Sequence, residues 1–354
     1  DEYEGLYSVS EERFITEKEA ESGEFRDIKK IKEKNYFFKM SQYQQPLIDH
    51  INNNPGFIQP EHRKNEVLGF LKKPLGDLCI SRPKSRLNWG IELPFDSDYV
   101  TYVWFDALIN YITAVGFDSD ESKFNNYWPA NYHLIGKDIL TTHSVYWPTM
   151  LMSAKLPLPQ GIFAHGWWLS GESKMSKSLG NVVDPLGLIE EYGVDPVRYY
   201  LMREMVLGQD ASFTMESFVK RYNSDLANDF GNLLSRVSNL MKKFFDGKIP
   251  TEEDDSDEGI AIKEKGIKTI EIMWAQIESM RVNEAIETTL QFVRSVNKYM
   301  ETMAPWKLAK SDPESAGKVL FTAAEALRLS AVLLAPVMPN RTKVVLDTFN
   351  AEET

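Results

Sequence analysis

The sequence predicts an α/β fold with a parallel sheet, followed by an all-α helix bundle. Short apolar strand candidates at 78–82, 98–104, 132–135 and 161–165 alternate with helical patterns, and this alternation is typical of a parallel sheet with right-handed crossovers. From about residue 215, apolar side chains recur at steps of three and four, which predicts helices. The chain of 354 residues is too long for one ordinary domain, so we expect two or three.

Composition and charge exclude several classes of protein. Apolar residues make up 43% of the chain, which is enough for sizeable cores. The net charge of -12 means that any RNA must bind at local patches, since the molecule as a whole repels it. The single cysteine, Cys79, excludes an internal disulfide and fits a reducing compartment. No apolar run is as long as a membrane span and the acidic start resembles no signal peptide, so we expect a soluble cytoplasmic protein without a membrane partner.

Helix boundaries can be placed in the second half. Asp184 and Asp195 each precede a proline, the pattern expected of an N-cap followed by the first helical residue. One long amphipathic helix is predicted from about 215 to 244, and further helices near 262–280, 281–303, 314–334 and 340–350. The acidic run at 252–258 between them is predicted to be a solvated connection.

The segment 171–181 is predicted to be a surface loop because it lacks hydrophobic periodicity and has a glycine on each side. Lys174 and Lys177 lie in it among three serines. Two ammonium groups that converge on one point suit a triphosphate, where negative charge develops during phosphoryl chemistry. As a bare pattern, however, these lysines and serines are explained equally well by an ordinary surface loop.

Residues 174–178 read KMSKS, the signature of class I aminoacyl-tRNA synthetases, and the surrounding sequence resembles the methionyl-tRNA synthetase family in particular. The resemblance implies a ligase that uses ATP with Mg²⁺ to convert L-methionine to methionyl-adenylate and then transfers the methionyl group to tRNA(Met). It also implies catalytic roles for Lys174 and Lys177, with Lys177 contacting the phosphates. The expected fold is half of a class I Rossmann-type catalytic domain followed by a helical anticodon-binding bundle.

The resemblance divides the chain into four segments. Residues 1–77 resemble a connective insertion, 78–170 the second half of the catalytic domain, 171–214 the KMSKS loop with a stem-contact module, and 215–354 the anticodon-binding domain. Many relatives carry a Cys-x-x-Cys zinc knuckle in the insertion, but Ser8 and Glu11 occupy the cysteine positions here. A hydroxyl and a carboxylate make a poor tetrahedral zinc site, so we expect no zinc and no other metal site.

The family also has a His-Ile-Gly-His-type motif on the first half of its catalytic domain. None of the five histidines lies in such a tetrapeptide, so we expect that the amino-terminal half is not in this chain and that this polypeptide alone is inefficient or inactive. One alternative is therefore a non-catalytic tRNA-binding fragment or split subunit. Another is a sister class I synthetase for leucine, isoleucine, valine or cysteine.

Two apolar and aromatic surfaces are candidates for the methionine pocket. Ile139, His143 and Trp147 are four residues apart and share a helical face. Core packing explains such stripes equally well. The resemblance assigns methionine binding to these three residues and to a second group, Val103, Trp104, Ala107, Leu108 and Tyr111. Leu108 replaces a proline that is common in bacterial relatives.

The resemblance assigns ATP binding to Glu92, Gly136 and Asp138, together with Lys177. It assigns anticodon contact to Asn232, Arg236 and Trp306, since a splayed base can stack on an indole while Asn and Arg bond its edges. By spacing alone, Asn232 and Arg236 lie on a polar stripe that is also explained as a solvated helix face.

Overall fold

The computed structural model describes residues 2–8, 13–15, 17–21, 27–171, 173–175 and 182–350. The chain divides into two compact units, Asp1–Ala164 and His165–Thr354. The first unit mixes strands and helices and the second is mostly helical, which confirms the predicted fold class. The finer division into four segments remains a prediction.

The elements of the first unit are short. Its strands are β1 (Glu2–Ser8), β2 (Arg13–Ile15), β3 (Ile28–Lys34), β4 (Phe37–Phe38), β5 (Ile58–Gln59), β6 (Leu78–Cys79), β7 (Ser81–Pro83), β8 (Glu92–Leu93), β9 (Asp96–Thr101), β10 (His133–Gly136) and β11 (Ile162–His165). Its helices are α1 (Glu17–Glu21), α2 (Gln44–Asn53), α3 (Glu61–Phe70), α4 (Val103–Thr113), α5 (Glu121–Tyr127) and α6 (Trp147–Ala154).

A three-stranded sheet of order β10-β11-β5 forms the centre of the first unit, with β11 parallel to β5. Strand β11 is almost wholly buried, and Ile162 is paired with Ile58. Leu47 and Ile51 of α2 pack into the same core with Ile135 of β10. The strands predicted near 132–135 and 161–165 are confirmed. Strand β5 was missed because two residues carry no readable pattern.

The two other strand candidates do not join this sheet, and here the prediction of one parallel sheet was wrong. Strand β9 ends at Thr101 and pairs antiparallel with β7 and β8. The candidate at 78–82 divides into β6 and β7, and β6 pairs antiparallel with β4. Alternating β-branched residues predict an extended chain, but they do not specify its partner.

The amino-terminal residues form another antiparallel sheet, of order β2-β1-β3. Ser8 is buried at the end of β1, where it pairs with Arg13 of β2 and Ile28 of β3. Glu11, the second residue at a predicted cysteine position, lies outside the described residues. The expected absence of zinc therefore remains a prediction.

The second unit begins with a small sheet and continues as helices. The strands are β12 (Trp168–Ser170), β13 (Ser173–Lys174) and β14 (Ala211–Phe213), in the order β13-β12-β14. The helices are α7 (Pro185–Tyr192), α8 (Val194–Glu204), α9 (Met215–Arg221), α10 (Asn232–Phe244), α11 (Asp257–Glu278), α12 (Val282–Met303), α13 (Pro305–Ser311), α14 (Pro313–Leu334) and α15 (Pro339–Thr348).

One of the two predicted N-caps is confirmed. The Asp184 side chain accepts hydrogen bonds from the backbone N–H groups of Leu186 and Gly187, at 3.0 and 3.3 Å, and caps α7. Asp195, however, lies inside the first turn of α8. It is buried and accepts from the Arg341 N–H at 2.6 Å and the Asn340 amide at 3.0 Å. The prediction of an N-cap at Asp195 was wrong because this carboxylate joins α8 to α15 instead.

The long helix predicted at 215–244 is present, but its middle is a π-helical stretch, Tyr222–Gly231, between α9 and α10. Side chains from α8 and α12 hold this wider stretch. Buried Asp225 accepts a hydrogen bond from the Tyr199 hydroxyl at 2.8 Å. Asp229 accepts from the Arg294 guanidinium at 2.7 Å, and the Asn297 amide donates to the Asp229 carbonyl at 2.9 Å.

Helices α11, α12 and α14 form the core of the bundle through side chains such as Leu290, Val293 and Leu327. Gly266 lets α11 approach closely, because a Cβ at this position would lie 3.2 Å from side-chain atoms of Leu329 and Phe292. The four helices predicted in this part are confirmed with shifted ends, and α13 was missed.

The acidic run at 252–258 is more than a solvated connection. Asp254 accepts a hydrogen bond from the Tyr299 hydroxyl at 2.7 Å, and its N–H donates to Thr322 Oγ1 at 3.0 Å. Ser256 caps α11 by accepting from the Gly259 N–H at 3.1 Å. The prediction was wrong for these residues, because local acidity does not reveal partners that lie far along the chain.

Candidate functional site

An aromatic cluster forms where α4, β10 and the helical stretch after β10 meet. The ring of Tyr111 lies 4.3 Å from that of His133, 5.6 Å from that of His143 and 6.1 Å from that of Trp147, measured between centroids. Trp128 lies 6.1 Å from Trp147 on another side. Three predicted methionine-binding residues, Tyr111, His143 and Trp147, are therefore brought together. Their roles remain predictions.

Hydrogen bonds fix the orientation of both imidazoles in this cluster. His143 Nδ1 lies 2.9 Å from the Ile139 carbonyl oxygen, which can only accept, so Nδ1 carries the proton. His143 Nε2 is then an acceptor for the Tyr111 hydroxyl at 2.8 Å. The Trp147 indole N–H donates to His133 Nε2 at 3.1 Å. The pKa values of both imidazoles are lowered by burial, so both rings are neutral at neutral pH, and these contacts then give each a defined tautomer.

Burial keeps the cluster uncharged. The pKa of His133 is lowered to about 4, first by burial and second by repulsion from His143. Burial also lowers the pKa of His143, although the hydrogen bond to Ile139 opposes this in part. Burial raises the pKa of Tyr111. At neutral pH the cluster therefore offers polarisable rings and no formal charge.

The remaining predicted pocket residues divide into three groups. Leu108 is 1% exposed and packs with Trp147 in one core cluster. Ile139 is half-buried against the core that contains Ile135. Val103 is 61% exposed, Ala107 is also exposed, and Trp104 is half-buried on the same helix. The structure thus places part of the predicted set on the surface of α4 and part in its core.

Sequence reasoning missed His133. It was included only as a residue of a strand candidate, although it accepts the indole N–H of a predicted pocket residue. The available signal was a histidine inside an otherwise apolar strand, next to an aromatic residue. Such a residue is more often an ordinary core histidine, so the sequence alone did not justify the assignment.

Of the four residues predicted to bind ATP, Glu92, Gly136 and Asp138 belong to the first unit, within or directly after strands of two different sheets. Gly136 ends β10, and Asp138 is exposed in the 3₁₀ turn Lys137–Ile139 that follows. Ligands of α/β sheets bind beyond such strand ends. Glu92 lies in β8 and forms an ion pair with Lys84. The nucleotide contacts of these residues remain predictions.

The lysine loop is only partly described. Lys174 belongs to β13, whose backbone pairs antiparallel with Leu169 of β12, so the prediction of a loop was wrong at the start of this segment. The turn between the two strands contains Gly171, with φ +64°, whose carbonyl accepts from the Ser212 hydroxyl at 2.8 Å. Lys177 lies outside the described residues, and the roles of both lysines stay predictions.

Two of the three predicted anticodon residues are in contact. The Arg236 guanidinium carbon lies 5.5 Å from the centroid of the Trp306 ring, within the range of a cation–π interaction. Arg236 also approaches Glu301, with a nitrogen-to-oxygen distance of 3.7 Å. Asn232 lies one turn earlier on α10 and is exposed. These residues form a polar surface with one half-buried indole.

Within the described part of the chain, no group of three or more His, Cys, Asp or Glu side chains is arranged to hold a metal ion. In the same residues, no helix is both long enough and apolar enough to cross a membrane.

Comparison with known families and proteins identifies the family of the chain. Residues 15–238 match the family described as tRNA synthetases class I (M), and residues 249–354 match the anticodon binding domain of methionyl tRNA ligase. The first match covers more than half of the chain and includes the aromatic cluster.

Individual relatives extend over nearly the whole chain. The methionine–tRNA ligase of Clostridium acetobutylicum is 46% identical over 99% of this chain, and that of Bacillus subtilis is 45% identical over 96%. The matches cover 55% and 54% of those two proteins, so the chain spans about half the length of these curated relatives. A structure of Mycobacterium tuberculosis methionyl-tRNA synthetase in complex with methionyl-adenylate superposes with a TM-score of 0.92 at 41% identity, and the match covers 98% of this chain and 70% of that one. Taken together, these matches show that the chain belongs to the class I methionyl-tRNA synthetase family.

Proposed function

We propose that this chain acts as part of a methionine–tRNA ligase, which activates L-methionine with ATP and transfers it to tRNA(Met). The observation that carries the proposal is the neutral, hydrogen-bonded cluster of Tyr111, His143, Trp147 and His133 in a chain of this family. The proposed occupant of this site is the methionine side chain.

The cluster suits a thioether. Sulfur interacts favourably with aromatic rings, at roughly 0.3–1.5 kcal/mol for each contact. Because His143 Nε2 accepts a hydrogen bond from the Tyr111 hydroxyl, the oxygen of Tyr111 keeps its lone pairs and its orientation. Shape then provides most of the selectivity, at roughly 1–3 kcal/mol for each misplaced methylene.

In the proposed first step, a carboxylate oxygen of methionine attacks the α-phosphorus of Mg-ATP. The bond from that phosphorus to the bridging oxygen breaks, and pyrophosphate leaves. In the second step, a ribose hydroxyl at the tRNA terminus attacks the methionyl carbonyl and AMP leaves. Positioning and electrostatics suffice for both steps, so the proposal requires no protein nucleophile. It assigns phosphate contact to Lys177, closure of the loop to Lys174, and nucleotide contacts to Glu92, Gly136 and Asp138.

For tRNA, the proposal uses Trp306 as a platform for an anticodon base and Arg236 with Asn232 as hydrogen-bond donors to base edges. The exposure of Asn232 and the half-burial of Trp306 support this assignment. A base that stacks on the indole would replace or share the contact that Arg236 now makes.

The proposal keeps two further expectations. One is that the first half of the catalytic domain is needed for full activity and lies outside the 354 residues, which span 55% of the Clostridium relative. The other is that the reaction takes place in the cytoplasm.

The test is methionine-dependent ATP–pyrophosphate exchange, compared with leucine and norleucine. The chain is assayed alone and together with the amino-terminal portion of the Bacillus subtilis relative. We expect exchange with methionine in the combined sample, at a rate well above that with either analogue. Equal exchange with all three amino acids would refute the methionine specificity.

A second candidate function is tRNA binding without catalysis. Two observations favour this candidate. Residues 249–354 match the anticodon binding domain of methionyl tRNA ligase, and the chain spans only about half the length of the curated relatives. Binding of tRNA(Met) by the chain alone, with a loss of affinity when the anticodon is changed, together with no exchange in either sample, would support this candidate over the first.

A further inference from the structure

Helix α11 has two apolar faces, and only one of them is buried. Ile262, Gly266 and Thr269 face the bundle core. On another side Ile260, Ile267 and Trp274 repeat every seven residues and are 46%, 54% and 58% exposed. A large apolar residue at every seventh position on an exposed helix face is typical of a helix that packs against a partner.

Two of these exposed residues, Ile260 and Ile267, line a groove of about 430 Å³ between α11 and α14, which we call the α11–α14 groove. Ile267 and Ile270 line it on the α11 side, and Leu329 lines it on the α14 side. Phe292 forms part of its floor. The groove shares no residue with the predicted anticodon surface of Asn232, Arg236 and Trp306.

The groove is lined by more carboxylates than cations. Glu253, Asp254, Asp255 and Glu325 line it, together with Lys263 and Arg328. Glu264, Glu271 and Glu278 are not part of this lining; they are exposed at every seventh position of α11, on the other side of its apolar stripe. Of the two cations that line the groove, Lys263 is paired with Glu253 at 2.6 Å and Arg328 with Glu325 at 2.7 Å. The local field at the groove is therefore negative.

From this pattern we propose that the α11–α14 groove binds an amphipathic helix of another protein, with an apolar stripe flanked by lysine or arginine. Apolar side chains at positions a and d of that helix fill the groove, and its cations lie near the carboxylates of the groove and of the neighbouring glutamate column on α11. A second copy of this chain is a poor occupant, because pairing α11 with itself in the antiparallel sense brings the glutamate columns together. This proposal is independent of the ligase activity.

The test uses two synthetic probes of about three heptads each, with leucine at a and d. One has lysine at the flanking positions and the other has glutamate. Fluorescence anisotropy of the labelled peptides is measured against the whole chain at low and at moderate salt. We expect the lysine peptide to bind at least about tenfold more tightly, with an affinity that falls as salt rises. Equal binding of the two peptides, or binding of neither, would overturn the proposal.

Two sets of variants locate the binding. Ile267→Asp places a charge in the groove and should abolish binding of the lysine peptide. Ile272→Asp changes an isoleucine on α11 that is 39% exposed but does not line the groove, and it should have no effect. The combined change Glu264→Lys, Glu271→Lys and Glu278→Lys should reverse the preference of the chain between the two peptides. Circular dichroism confirms that each variant is folded.

Sedimentation of the chain alone tests whether a second copy of the chain occupies the groove. The proposal predicts the same molecular mass for the unchanged chain and for Ile267→Asp. A dimer that becomes a monomer on Ile267→Asp would show that a second copy covers the groove, and this result would overturn the proposal.

Discussion

The aromatic cluster of the first unit and the predicted anticodon surface of the second unit use their rings in opposite ways. In the cluster, the polar atoms of Tyr111, His143 and Trp147 are satisfied inside the protein, and burial keeps both imidazoles neutral. At the anticodon surface, a charged guanidinium covers the indole of Trp306 and a carboxylate stands nearby. The first arrangement is fixed before a ligand binds. The second can be rearranged by a ligand at a small cost in free energy.

Both regions nevertheless contain, or lie directly after, a π-helical stretch. The π-helical turn Thr142–Tyr146 contains His143, and the π-helical stretch Tyr222–Gly231 ends directly before Asn232. Such turns are frequent at functional sites, since they change the direction of the side chains that follow. The difference between the regions therefore lies in charge and burial, and four experiments examine it.

Acidification should give the largest effect, because it charges the buried imidazoles. The folded-state pKa of His133 is about 4, whereas its ordinary value is 6.5. Between these values the unfolded chain binds more protons, so the free energy of unfolding should fall as the pH drops from about 6.5 to about 4. The loss due to His133 is about 3 kcal/mol, measured by urea unfolding across this pH range.

The control for this prediction is His133→Gln, which keeps an acceptor for the Trp147 indole but does not titrate. Its unfolding free energy should vary less with pH over the same range. Identical pH dependence in both proteins would mean that His133 does not control the acid response.

Replacement of His143 by leucine tests the fixed orientation of the pocket. It leaves the half-buried Tyr111 hydroxyl without its acceptor, at a cost of up to about 3 kcal/mol in stability. Adding Tyr111→Phe to His143→Leu should recover part of this loss, because replacing both partners by apolar groups removes the unsatisfied donor. Both variants should bind methionine more weakly by calorimetric titration. Strictly additive stability losses would contradict the pairing of these two side chains.

At the anticodon surface, Trp306→Ala should weaken tRNA(Met) binding by about 1–3 kcal/mol, the usual contribution of a base stacked on an aromatic ring. Filter binding measures this loss, and Trp306→Phe should retain most of the affinity. ATP–pyrophosphate exchange should be unchanged, since it precedes tRNA binding. A parallel loss of exchange would count against an anticodon role.

The smallest effect is expected from Glu301→Gln. Its carboxylate is exposed and lies 3.7 Å from Arg236, so the ion pair contributes less than about 1 kcal/mol. Its removal frees the guanidinium for RNA and should slightly strengthen tRNA binding at low salt. An equal gain at high salt would show that electrostatics is not the cause, because salt screens exposed charges.

The sequence predicted those parts of the fold in which local pattern and tertiary structure agree. Strand β11 is mostly apolar and buried, β10 buries His133 and Ile135, and Asp184 caps the helix that immediately follows it. Asp195 has the same local pattern, but its partners are Asn340 and Arg341. No local rule distinguishes the two aspartates, since the difference arises about 145 residues further along the chain.

For the aromatic cluster, too, the sequence indicated only some of the contacts. Spacing placed His143 and Trp147 together, and resemblance added Tyr111. In the structure, His133 lies between these residues: it accepts a hydrogen bond from the Trp147 indole, and its ring packs at an inclined angle against that of Tyr111. The partners of His133 are 14 and 22 residues away in different elements. No local pattern in the sequence could therefore have identified these contacts. The π-helical turns were also not predicted, because they leave no distinct mark in hydrophobic periodicity.

The π-helical turn Thr142–Tyr146 determines how the predicted pocket responds to a change in chain length. A π-helical turn takes up about one residue more than a regular α-helical turn. Deletion of one residue within this turn can therefore be absorbed by a return to regular winding, which leaves the indole of Trp147 facing in roughly the same direction. The same deletion in a regular α-helix would turn every later side chain by about 100° around the axis. The loss of one residue should therefore be tolerated more readily here than in the regular helices.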